Sequence, residues 1–515
     1  MRSASIRRGL FAFWATAVLV IFASGSPAWA GGGEPSGLRP YFIGSVDGSL
    51  PKYFTVNLRD GSTARDAGLV AEYFRSFGLA VRVDAEDGLL FVHGTYAQAG
   101  AAAHVGFERG VLRGQPFVTI DRGETYPPQI ASRVFATTVD DGPMATQSAE
   151  LSPDFGVADA DGYTPADMET YYDFGTIATS GDEGKGQNVA IMTCGTVATT
   201  DVSQYESLYG LPSNTPAFVS VDGGSTTGEF AGTLQVERMV GTASKASITL
   251  YVLPAACNVG NLADAAAQVV TDDATKHYHA FVTAYGNFED VYAYYGDTSV
   301  LNSESSDLSK LEGKSTTTFA GTGDNGAWSS LEPGDTGVFY PSSDPNAVGV
   351  GQTVADSESP TNPTRLFEFG GYYSGGGAST IFAIPTWQKS VTGIISTTNR
   401  NTPDVTFNGD CHTLYQVTYE GSNDYFGCGS GFGAASWAGI LLLADAERKT
   451  DGKDALSGVE SILYKERTTS DFYTDITIGC NGYYCSGTGW DAVSGLGSPN
   501  ASTIYSTLVA LPSSS

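Results

Sequence analysis

Basic residues are scarce in this chain: 27 Lys and Arg stand against 56 Asp and Glu, a formal net charge of −29. A surface of that sign repels phosphate backbones and anionic lipid, so neither nucleic acid nor membrane is an expected partner. It also leaves little positive charge to accumulate as carboxylates protonate, so tolerance of acid surroundings is expected. Long apolar runs are missing as well. The one near the start, Phe11 to Ala23, is shorter than the ~20 residues a membrane span needs, and no later window approaches that length. Histidine is down to five residues, and no cysteine precedes Cys194.

What is present begins with an export signal. Arg2, Arg7 and Arg8 precede the apolar run, and Ala28-Trp29-Ala30 is a small-residue cleavage site, so residues 1–30 read as a leader and the mature chain starts near Gly31. A secreted, extracellular, soluble monomer is the expectation. Its length calls for two domains. The six cysteines, Cys194, Cys257, Cys411, Cys428, Cys480 and Cys485, fit disulfides in an oxidising compartment, and six cysteines allow fifteen connectivities. Asn481-Gly482 is a tight-turn signal that favours Cys480 with Cys485, and Cys411 with Cys428 is the other favoured pair.

From Tyr53 to about Gly110 the pattern predicts a small α+β unit: a helix from Ala64 to Phe77, then strands Leu79–Val83 and Leu89–Val92 paired across Glu86-Asp87-Gly88. Residues 138–162 are polar and acidic, with Asp140-Asp141-Gly142-Pro143 and no apolar period, and read as an exposed linker open to processing. Beyond it, short apolar strands at Asn188–Met192, Ser247–Leu253, Ala280–Ala284 and Thr316–Ala320 alternate with helical stretches such as Leu262–Thr275 and Ser306–Leu311. That alternation argues for a parallel sheet covered by helices on both faces, with ligands at the carboxyl ends of the strands. The turns Cys194-Gly195, Tyr285-Gly286 and Gly321-Thr322-Gly323-Asp324 fall at those ends, and Tyr292, Tyr294, Tyr295, Tyr372 and Tyr373 around them suit a binding surface.

Several stretches resemble the sedolisins, the serine-carboxyl peptidases. Tyr73-Phe74 through Gly78-Leu79-Ala80-Val81 to Gly94-Thr95 is similar to that family's activation domain, and Gly162-Tyr163-Thr164-Pro165-Ala166-Asp167 to the start of its catalytic domain. Ser374-Gly375-Gly376-Gly377-Ala378-Ser379, Pro385-Thr386-Trp387-Gln388, Pro403-Asp404-Val405 and the run ending Gly495-Leu496-Gly497-Ser498-Pro499 continue the match. The resemblance implies an α/β fold with a subtilisin-like parallel sheet covered on both faces, preceded by a small α+β activation domain. It divides the chain into an activation-type prodomain at 31–137, a linker at 138–162 and a peptidase-like domain at 163–512.

Asp475-Ile476-Thr477 followed by Gly487-Thr488-Gly489-Trp490-Asp491 matches the family's calcium loop. The resemblance implies carboxylate oxygens from Asp475 and Asp491 and backbone carbonyls from Ile476, Gly487 and Gly489, an all-oxygen set that suits a hard cation. A turn held by the two aspartates on nearby N–H groups is the alternative. Asp324 matches the aspartate that helps form the family's oxyanion hole, where a protonated acid can donate to developing charge. Gly-Asp-Asn-Gly is also ordinary turn chemistry.

The catalytic positions do not follow the family. Sedolisins place a glutamate and an aspartate four residues apart on one helix face, to relay the proton of a serine. Counted back without gaps from Ala243–Ile248, those positions hold Ala231 and Gln235; a two-residue shift reaches Glu229, whose partner then becomes Thr233. Counted back from Trp437, the serine position holds Gly431, with Ser430 one residue early, an offset of about 100° around a helix. The histidines offer no local triad signature; His277-Tyr278-His279 could hold a metal but more often marks an exposed edge. The expectation is a calcium-binding pseudopeptidase that holds a peptide, protein or surface ligand in the inherited cleft. An acid endopeptidase using Ser430 with Glu229 or Glu237, and a purely structural exported protein, stay open.

Overall fold

The computed structural model describes residues 41–112, 115–152, 162–175, 177, 182–295, 298–329, 334–359 and 362–513; the leader at 1–30 lies outside them. The amino-terminal unit is built on an antiparallel sheet in the order Ala80–Asp84, Leu89–Thr95, Pro51–Leu58, Val134–Thr137. Thr63 and Asp66 cap each other's backbone at the start of helix Ala64–Arg75, which buries Ala67, Val70, Ala71 and Phe74 against that sheet. A second antiparallel sheet joins Tyr41–Ser45, Phe107–Leu112 and Gln115–Ile120.

The large unit carries an eight-stranded sheet. Strands Ala217–Ser220, Ser247–Leu253, Asn188–Cys194, Ala280–Thr283, Thr317–Gly321 and Ala347–Ser359 run parallel in that order. Asn362–Gly370 adds an antiparallel edge, and Val405–Asn408 pairs in parallel with Ala347–Ser359. Near-continuous burial along the central strands Asn188–Cys194, Ser247–Leu253, Ala280–Thr283 and Thr317–Gly321 is what a sheet with both faces covered requires; the edge strands Ala217–Ser220 and Asn362–Gly370 are largely exposed. Helix Ser430–Thr450 is buried almost all round. Its glycines permit close approach: a Cβ on Gly433 would lie 2.8 Å from Val350 Cγ1, and one on Gly439 would lie 2.5 Å from Thr242 Cγ2 of helix Phe230–Thr242. Three disulfides form: Cys194–Cys257, Cys411–Cys428 and Cys480–Cys485. No helix among the described residues is long and apolar enough to cross a membrane.

Residues 138–143, 148 and 149 are not the exposed linker that composition implies for 138–162; residues 146 and 147 are exposed, and 153–161 lie outside the described residues. Thr138 to Pro143, Ser148 and Ala149 are buried. The reason is that each polar group finds a partner. Lys52 Nζ lies 2.7 Å from Asp141 Oδ1, the Tyr96 hydroxyl donates to Asp141 Oδ2 at 2.5 Å, Thr119 Oγ1 donates to Asp140 Oδ2 at 2.9 Å, and Thr138 Oγ1 donates to Asp264 Oδ1 at 2.5 Å. Asp264 belongs to helix Val259–Lys276, so this node ties the amino-terminal sheet, the linker and the large unit together. Tyr292 is likewise in a small core with Val259 and Tyr340, not on a binding surface, whereas Tyr294, Tyr372 and Tyr373 are exposed.

With few cations available, many carboxyls are buried with weak compensation. Burial raises Asp344 to about 6, Asp445 to about 7 and Glu460 to about 8, and pushes Asp140, Asp222, Asp264, Glu237 and Glu304 upward. An unfolded carboxyl titrates at about 4, so the folded chain binds extra protons between about pH 4 and 8. Stability from these groups is full near pH 4 and is lost as pH rises through their folded values. The exposed Asp66 and Asp121, held at about 2 by hydrogen bonds from Thr63 and Arg122, work the other way only below about pH 4. Thermal unfolding followed from pH 3 to pH 8 should therefore show the highest melting temperature near pH 4–5 and a fall toward pH 8; a curve flat or rising above pH 5 contradicts this assignment.

Candidate functional site

Three turns meet at the carboxyl end of the parallel sheet. Ala284 follows strand Ala280–Thr283, Thr322-Gly323-Asp324 follows Thr317–Gly321, and Gly429 opens helix Ser430–Thr450 with φ at +125°. The helix start needs acceptors for its free N–H groups. Asp324 Oδ1 supplies one, accepting from Ser430 N at 3.0 Å, from Ser430 Oγ at 3.0 Å and from Gln352 Nε2. Gly323 N donates to Ser430 Oγ at 3.1 Å. Ser430 is fully buried, at the first helical turn, with its hydroxyl turned to the Gly323-Asp324 turn.

The next N–H belongs to Gly431, and its acceptor comes from the linker: Gly431 N donates to Ser148 O at 2.8 Å. Ser148 N and Oγ both donate to Ala284 O, at 2.6 and 2.9 Å. Before this point, Thr146 and Gln147 pair antiparallel with Gly286 and Tyr285. After it, Glu150, Leu151 and Ser152 pair antiparallel with Cys428, Gly427 and Phe426. The linker thus crosses the cleft as an extended strand, hydrogen-bonded on both sides.

Glycines make this approach possible. A Cβ on residue 431 would lie 2.6 Å from Ala284 Cβ and 3.0 Å from Ser148 O. One on Gly429 would lie 2.5 Å from both Ala149 Cα and Ser148 O and 2.8 Å from Asp324 Oδ2, and one on Gly321 would lie 2.6 Å from Ser148 Oγ and 2.7 Å from Ser430 Oγ. Separations under 3 Å are repulsive, so 429 and 321 exclude a side chain while the linker is in place, and 431 excludes one through Ala284 itself.

The other candidate residues do not gather around Ser430. Glu229 caps helix Phe230–Thr242, accepting from Ala231 N at 2.8 Å and Gly232 N at 2.5 Å, with Thr193 Oγ1 at 3.3 Å. Burial, then the adjacent Glu229 charge, holds the Tyr285 phenol well above its ordinary range. Ala231 and Gln235 are fully buried, and the Gln235 amide makes no hydrogen bond with the described residues. Glu237 accepts from Thr418 N at 3.0 Å. Between this helix and the start of Ser430–Thr450 the space is apolar: Leu234, Phe432 and Phe230 all come within 3.0 Å of where a Gly427 Cβ would stand. His277 is the left-handed cap of helix Val259–Lys276, and His279, lowered to about 4 mainly by burial, accepts from Asn188 N at 3.3 Å; the two build no metal site.

At the carboxyl-terminal loop, Asp475 and Asp491 converge on one turn. Gly489 N donates to both Asp475 oxygens, at 3.2 and 3.1 Å, and Gly487 N donates to Asp491 Oδ2 at 3.1 Å. Asp491 Oδ1 takes Val493 N and Ser494 N at 2.9 Å each. Gly489 needs its φ of +81°, and neither loop glycine has an atom within 4 Å of a built Cβ, so the turn is open on that side. Burial raises the Asp491 carboxyl. The two carboxylates are thus engaged as in a turn held on nearby N–H groups, and they are also the donors a hard divalent cation would take on this loop, its charge offsetting that burial.

Sequence reasoning missed two features. Ser148 and Ala284 carry no motif; only the cluster of glycines facing them marks the spot. Asp410 and His412 form a close pair, with His412 Nδ1 at 2.5 Å from Asp410 Oδ1 and Tyr372 N at 3.0 Å from Oδ2, on a loop that the Cys411–Cys428 disulfide ties to the helix start.

No protein-family model matches the chain. Kumamolisin from Bacillus sp. (strain MN-32) is 29% identical over 375 residues, which are 68% of this chain and 64% of kumamolisin. Tripeptidyl-peptidase 1 of Homo sapiens is 28% identical over 253 residues, 45% of this chain and 43% of that protein. The chain therefore spans less than two thirds of the length of either relative. Among solved structures, Pseudomonas sedolisin, a serine-carboxyl proteinase complexed with two molecules of pseudo-iodotyrostatin, superposes with a TM-score of 0.59 at 23% identity, over 68% of this chain and 98% of that one. Relatives by sequence and neighbour by fold agree with the parallel sheet: the chain is similar in sequence to peptidases of the sedolisin family and shares the sedolisin fold.

Proposed function

We propose that the protein is a secreted pseudopeptidase that holds an extended peptide in the inherited cleft without cutting it. The observation that carries this reading is the contact at residue 431. A peptide carbonyl rests on the Gly431 N–H, as a substrate carbonyl rests on an oxyanion donor, but residue 431 has no hydroxyl to attack it. Nor does a base stand ready, because Ala231 and Gln235 occupy the acid positions and Glu229 is spent on its own helix start. An oxyanion donor alone leaves attack to bulk water. Asp324 is the family's oxyanion residue by position; in this chain its Oδ1 supports the helix start. Secretion rests on the leader and the three disulfides.

A second reading keeps one observation in its favour: Ser430 Oγ lies 3.0 Å from Asp324 Oδ1, a serine next to a carboxylate. In that reading the chain is an acid-active serine endopeptidase with a rearranged site. Calcium belongs to either reading, held by Asp475 and Asp491 with the backbone carbonyls of Ile476, Gly487 and Gly489, where it would stiffen the loop.

Incubation with denatured protein substrates from pH 3 to pH 8 should give no cleavage; cleavage that disappears in Ser430→Ala would establish the second reading instead. Gly431→Ser, alone or with Ala231→Glu and Gln235→Asp, should not create activity in the intact chain. It should destabilise by about 1–3 kcal/mol, because the new Cβ meets Ala284 and Ser148. Chelation should lower the melting temperature, since an ion at a hundredfold excess over its Kd adds about 2.7 kcal/mol to the folded state. Asp475→Ala and Asp491→Ala should abolish that response, and a response unchanged in both removes the calcium assignment.

A further inference from the structure

The seat of the linker defines what else the cleft can accept. Main-chain pairing runs from Thr146 to Ser152, and main-chain hydrogen bonds hold a strand whatever its side chains. Selection must come from the side chains that are enclosed. Thr146 and Gln147 are exposed and can be of any size. Ser148 and Ala149 are not: both are fully buried. Ser148 Oγ faces Gly321 and donates to Ala284 O, while Ala149 Cα abuts Gly429. The walls at 284, 321, 429 and 431 are already alanine and glycine, so they have nothing left to give up to a larger guest.

Resting on the pseudopeptidase reading, we propose that the cleft is a receptor for an extended peptide with two consecutive small residues, and that Ser148-Ala149 of the linker is its resident occupant. The serine hydroxyl adds a hydrogen bond that alanine or glycine in its place would lack. A tethered strand competes at an effective concentration in the millimolar range, so an exogenous peptide of this kind binds only when the linker is displaced.

The probe is a labelled synthetic peptide, Met-Ala-Thr-Gln-Ser-Ala-Glu-Leu-Ser, which repeats residues 144–152. The proteins are the wild-type chain and a full-length Ser148→Leu/Ala149→Leu variant, whose own linker no longer fits. Fluorescence anisotropy should show the peptide binding the variant at least about tenfold more tightly than wild type, given the tethered competitor in the latter. The same peptide with Leu at both small positions should bind the variant at least about tenfold more weakly, one enclosed clash being enough for that factor. Equal binding of the two peptides overturns the small-residue inference and leaves the pseudopeptidase reading standing. Hydrolysis of the bound peptide does the reverse. If the double variant does not fold, single variants decide: Gln147→Trp should melt with wild type and Ala149→Leu below it, and the opposite order overturns the proposal.

Discussion

The hydrogen bond from Gly431 N to Ser148 O joins the two parts of the molecule that the family's chemistry would otherwise set against each other. A helix N-terminus presents N–H groups and a partial positive charge to whatever lies ahead of it. Here Asp324 takes the first N–H and a linker carbonyl takes the next, so the helix that runs through the core of the large unit ends on the linker. Closeness is the condition for this, and glycine at 321, 429 and 431 supplies it. Gly429 is the position that admits the linker most directly, since a Cβ there would lie 2.5 Å from both Ser148 O and Ala149 Cα; at 431 a Cβ would meet Ala284 first, at 2.6 Å.

Upstream of this contact, the polar node around Lys52 holds the same linker against the amino-terminal sheet. Its composition reflects the whole chain. With 27 basic residues for 56 acidic ones, carboxyls outnumber the cations that could pair with them inside. Burial without a cation favours the neutral form, which is why so many folded carboxyls sit above their ordinary range.

Much of the fold was legible in the sequence because local pattern and tertiary role agree. The strands at 188–194, 247–253 and 280–283 are short apolar runs buried on both faces, and Asp475 and Asp491 both turn onto the 487–489 turn, in keeping with the family resemblance. The linker was not legible. Asp140 and Asp141 look like surface residues until Lys52, Tyr96 and Thr119, distant in sequence, are brought around them. Glu229 looks like a displaced catalytic acid until its helix forms and claims both of its oxygens. At the site itself the sequence shows glycine at 429 and 431; only the structure shows that Ser148 and Ala149 of the linker lie against them.

Amide hydrogen exchange reads the bond between residues 431 and 148 directly. In the intact chain the Gly431 and Ser148 amides should exchange as slowly as the buried strand Ala280–Thr283, through global unfolding alone. Exchange of both at the rate of an exposed loop, with that strand still protected, would mean that the linker does not occupy the cleft and would contradict the account.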